Sequence, residues 1–80
     1  MIDINVLIDD IKGRIEDEER REIVVQLGLD LVEATALQSV DPDMADDLLR
    51  HVKAQALALT ATEHKAVSDA FMAFATQSAR

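Results

Sequence analysis

The side chains that could do chemistry in this sequence are few, and two histidines head them. His51 follows Asp47 by four residues, so on a helix the imidazole and the carboxylate share a face and could ligate a divalent metal. Two ligands do not complete a site; Glu18 and Glu22 would have to come from another helix, as in carboxylate-rich four-helix bundles. The Glu-x-x-His pair that marks such helices does not occur in the sequence. A metal-binding bundle is therefore the third reading of function, with no metal or cofactor expected. His64, beside Glu63, reads as a solvent-exposed residue. Asp41-x-Asp43-x-x-Asp46 has the outline of a calcium loop, but that loop needs glycine at its sixth position and glutamate at its twelfth. Asp46 and Val52 stand there instead.

Nucleophilic chemistry has even less to work with. There is no cysteine and no tyrosine, and Ser39, Ser68 and Ser78 lie in no glycine-rich elbow. The two glycines, Gly13 and Gly28, are too far apart to form a phosphate-cradling loop. The chain is not expected to be an enzyme.

Charge points elsewhere. The net charge is −8, and it is unevenly placed: residues 1–47 hold fourteen acids and four bases, residues 48–80 two acids and four bases. Direct binding of nucleic acid is not expected, because it rests on Lys and Arg neutralising phosphates. Glu16, Asp17, Glu18, Glu19 and Glu22, with Asp43, Asp46 and Asp47, form the candidate surface for a protein partner whose own surface is basic. An alternative is an acidic mimic that blocks a DNA- or RNA-binding protein with carboxylates spaced like phosphates. Its complex would weaken steeply with salt.

These residues must be positioned by helices. Val40-Asp41-Pro42-Asp43 is a turn and a helix start: Asp41 caps, Pro42 takes the first helical position, and the following acids face the positive end of the helix dipole. Pro42 also forces any incoming helix to stop before Asp41. Upstream, Asp3 can cap a helix beginning at Ile4, and Ile4, Ile8, Ile11 and Ile15 make a stripe that resumes in register at Val25, Leu29, Val32 and Ala36. One long helix over about 4–38, or two collinear pieces, follows, with Gly13 and Gly28 as weak points. Within the charged run 16–22, Glu16 faces Arg20 and Asp17 faces Arg21 at the favourable i,i+4 spacing, so most of the run reads as a self-supporting solvated face. Glu18 and Glu22 lie on the apolar stripe, so they either mark where that stripe leaves the core or meet something cationic, an arginine of a partner chain or a metal.

Residues 23–32 alternate as a strand would, yet both flanks are strong helix formers and a lone strand has nothing to pair with. Helix is preferred. Ile23, Val24, Leu27 and Leu31 are apolar beyond the main stripe, which two helices alone would leave uncovered. Downstream, Ala45, Leu49, Val52, Ala56 and Leu59 make one stripe and Ala66, Ala70, Phe71 and Phe74 another. Thr60 and Glu63 between them have capping-box spacing. Helices over about 42–59 and 61–78 follow, with fraying from Gln77 to Arg80.

The fold class is thus all-α, a helical hairpin or small bundle forming one domain over 1–80 with its turn at 39–42. At 80 residues the core is limited, and homo-oligomerisation, first as a dimer, would complete it. Ile23, Val24, Leu27, Leu31, Phe71 and Phe74 are the interface candidates. No apolar run is long enough for a membrane span, and no signal-peptide pattern opens the chain, so a cytoplasmic protein is expected. Together these readings describe a small acidic helical protein–protein interaction module, acting as a homo-oligomer in the manner of an adaptor, inhibitor or assembly factor.

Overall fold

The computed structural model describes residues 4–78. Four helices follow one another: α1 (Ile4–Arg14), α2 (Glu18–Leu37), α3 (Pro42–Ala56) and α4 (Ala61–Ser78). No strand occurs among the described residues, so 23–32 is helix and the alternation there is incidental. The expected cap at Asp3 and the last two residues, 79–80, lie outside the described residues; Gln77 and Ser78, the expected start of the fraying, still belong to the last helix.

The chain does not form one helix over 4–38. It breaks at 15–17, away from both glycines, because Asp17 leaves helical dihedrals (φ −76°, ψ 120°) and caps α2, its carboxylate accepting from the backbone N–H of Glu19 and Arg20. Glu18 and Glu19 follow in the first turn, near the positive end of the α2 dipole. The Arg21 Nε–H donates to the carbonyl of Ile15, satisfying a group left over at the end of α1. Nor are the two pieces collinear. α1 packs against both α2 and α4, and it crosses α2 at Gly28, where an added Cβ would lie 2.7 Å from Ile11 Cδ1 and 4.0 Å from Leu7 Cδ2. Gly28 is kept small by that crossing and does not break the helix.

The break also resets the apolar register. Ile11 and Ile15 are buried as expected, but Leu7 joins them, and in α2 the buried residues are Val24, Leu27, Gly28 and Ala34. Val25, Leu29 and Val32 are only half-buried, and Ala36 is exposed. A stripe need keep one phase only within one helix, and α2 begins its own.

The later boundaries follow the local chemistry more closely. The Asp41 carboxylate accepts from the Met44 N–H at 3.2 Å, with Pro42 opening α3. The capping box opens α4 as its spacing predicts: Thr60 Oγ1 accepts from the Glu63 N–H at 3.2 Å, and Glu63 Oε1 accepts from the Thr60 N–H at 3.0 Å. α3 ends at Ala56, about three residues short of the expected 59, and 57–60 is the connection.

α2 is the central element, in contact with α1, α3 and α4. α3 and α4 both rest on α2 but hardly on each other, which flattens the molecule to 35 × 30 × 16 Å. Among the described residues only Leu7, Ile11 and Val24 are both large and fully buried; alanine and valine supply much of the remaining core.

Candidate functional site

Because α3 and α4 splay apart over α2, the core opens to the surface between them. Leu27 and Leu31 of α2 face Val52 and Ala56 of α3, with Leu59 of the connection at one side. His64, Val67, Ser68, Phe71 and Met72 of α4 complete the cleft. Spacings of three and four on each helix bring these residues to one face. The cleft holds about 190 Å³. Sites for drug-sized ligands run from roughly 300 Å³ upward, whereas a dry cavity of about 150 Å³ accepts one benzene ring. Its size thus suits a single large apolar side chain. Such an anchor gains about 1.5–3 kcal/mol from full burial. Met72 is 62% exposed at the lip, whereas Val67 belongs to the core. His64 and Ser68 are the polar side chains of the lining.

A second feature holds this arrangement in place. Arg20 clasps Glu63 in both prongs of its guanidinium, Nε–H to Oε2 at 2.7 Å and Nη2–H to Oε1 at 2.6 Å. The start of α4 is thereby tied to the start of α2. Glu63 is 6% exposed, and its carboxyl falls from 4.5 to about 2, first through the Arg20 hydrogen bond and then through the Thr60 backbone N–H, with burial opposing both. The expected Glu16–Arg20 pairing is replaced by this contact, and Asp17 serves as a cap. At the C-terminal end of α1, Arg14 bonds Asp10 at 2.9 Å and reaches Asp69 of α4 at 3.6 Å. Both acids of α4 are therefore partnered by arginines of this same chain.

The remaining candidates are dispersed. Val24 and Leu27, read as interface residues, lie inside the subunit's own core, at 0% and 3% exposure, because α1, α3 and α4 together cover α2. Leu31, Phe71 and Phe74 are half-buried, and Ile23 is 49% exposed. Glu18 and Glu22 are exposed and share a surface hollow with Lys12 and Arg21, so the cations beside the stripe come from the same chain. Asp47 and His51 are exposed on α3, with Arg50 Nη1 3.9 Å from Asp47 Oδ1. No group of three or more His, Cys, Asp or Glu side chains placed to hold a metal occurs among the described residues.

The acids Glu16, Asp17, Glu18, Glu19 and Glu22 gather at the start of α2, and Asp43, Asp46 and Asp47 near its end, since α3 turns back from there. Residues 23–37 of α2, about 23 Å of helix, lie between the two groups. Among the described residues no helix is long and apolar enough to cross a membrane.

Sequence reasoning missed the cleft because no single helix encodes it; it exists only in the spread of α3 from α4. Arg20 and Glu63 stand 43 positions apart, beyond any periodic signal. The Asp17 cap was detectable, since the same cap chemistry marks Asp41.

Fold and site together define an all-helical domain with an apolar cleft opening on its core. Compared with protein-family models, with curated proteins and with solved structures, the chain matches none of them.

Proposed function

We propose that this chain is a small helical protein–protein interaction module that receives an apolar anchor side chain of another protein molecule in the α3–α4 cleft. The observation that carries this reading is the cleft itself, whose floor is made of core residues left open by two helices that hardly touch each other. Interfaces are dominated by a few large side chains seated in such pockets. The acidic groups at the two ends of α2 lie outside the cleft lining and steer which face of the molecule a partner approaches, adding little to affinity directly. In this role the chain acts by occupying or joining surfaces, as an adaptor, inhibitor or assembly factor does.

A photo-crosslinking amino acid placed at Ser68, on the lip of the cleft, tests the reading in cells. A discrete covalent adduct is expected at Ser68 and not at Asp9, an exposed position on α1. Equal, diffuse labelling from both positions would sink the proposal.

A further inference from the structure

We infer that the molecule seated on the cleft is a second copy of this chain, placed by a twofold axis beside α4 so that Met72 of each subunit enters the cleft of the other. The inference rests on the interaction-module reading and names its partner. Three observations converge on it.

The first is self-complementarity. A twofold interface requires that one surface carry both the knob and the hole. α4 carries both: Met72 stands 62% exposed at the lip of a cleft sized for one such side chain. Methionine is flexible and polarisable, suited to filling an irregular apolar hollow.

The second is charge. Two copies of a chain with net charge −8 repel each other unless they meet where free carboxylates are few. The acids of α4 satisfy this condition, because Glu63 is held by Arg20 and Asp69 by Arg14. The residues at 48–80, which build the α3 and α4 sides of the cleft, carry a balance of +2, and none of the acids at 16–22 or 41–47 lines it.

The third is area. A stable interface takes about 800 Å² from each partner. The molecule spans 35 × 30 Å across its two longer axes, roughly 1,000 Å² in projection, so an interface of this size is within reach of one side of it. The thin 16 Å dimension means that pairing two slabs would also give the combined core a more usual depth.

Native mass spectrometry of the purified chain at micromolar concentration is the test. A species of twice 8.8 kDa is expected. Met72→Glu, at a position exposed enough to leave the subunit folded, should raise the dimer dissociation constant at least about thirtyfold, the loss of one hot-spot anchor. Circular dichroism checks that the variant keeps its helices. Since the chain has no cysteine, Met72→Cys supplies an independent readout, a disulfide-linked dimer on mild oxidation. A monomeric wild type, a dimer indifferent to Met72→Glu, or a ladder of open-ended oligomers would each overturn the inference. A monomer that still yields a Ser68 adduct with another protein overturns the self-association alone; a monomer with no adduct removes the interaction-module reading as well.

Discussion

Glu63 takes part in two devices at once: it closes the capping box with Thr60 and it receives both prongs of Arg20. Its ionised form is favoured in the folded state, so the associated stability is complete above about pH 4.5 and is lost as the pH falls towards about 2. The thermal midpoint should fall through that window in the wild type. Glu63→Gln keeps an oxygen for the Thr60 N–H but abolishes the charge, and should lower the midpoint at pH 7 while flattening the profile between pH 4.5 and 2. A profile that stays parallel to the wild type would mean that the pair contributes nothing. The Thr60 half of this site was legible as a spacing of three residues; the Arg20 half was not, because only the folding of α4 against α2 brings that guanidinium within reach.

At the scale of elements the decisive event is the break at 15–17. The chain reads well as one continuous stripe from Ile4 to Ala36, and the physical error in that reading is to treat continuity of phase as continuity of helix. Asp17 offers its carboxylate to two backbone N–H groups, and α1 gains burial by turning back across Gly28 that it would lack as an extension of α2. The two arrangements place different residues in the core. In the folded-back α1, Leu7 is 1% exposed and Ile8 half-buried, whereas a continuous stripe contains Ile8 and omits Leu7. Leu7→Ala should therefore cost about 2–5 kcal/mol in urea unfolding, the range for emptying a packed leucine site, and Ile8→Ala clearly less. The reverse order would restore the long helix.

For the whole molecule, flatness is the property with consequences. Alanine-rich α3 and α4 give a thin slab in which few large side chains are fully enclosed, and a domain of this size has little stability to spare. In the proposed dimer, association through the α4 face would add to folding by mass action, because the second copy would bind the folded state alone. The wild-type thermal midpoint should rise with protein concentration over two decades, and that dependence should vanish in Met72→Glu. A midpoint independent of concentration in both proteins would place the whole stability within one subunit. Val24 and Leu27, once the reason to seek a partner, are satisfied within the subunit, and the reason now lies in the cleft.

What the sequence by itself determined is local: the all-helical class, the Asp41-Pro42 start, the Thr60–Glu63 box and the apolar faces of α3 and α4. Each depends on groups within about four positions of one another, where spacing alone sets geometry. The tertiary structure decided the direction of α1, the buried register of α2, the Arg20–Glu63 clasp and the opening between α3 and α4. Those depend on contacts between distant segments competing for the same face of α2, and periodicity carries no information about which of them wins.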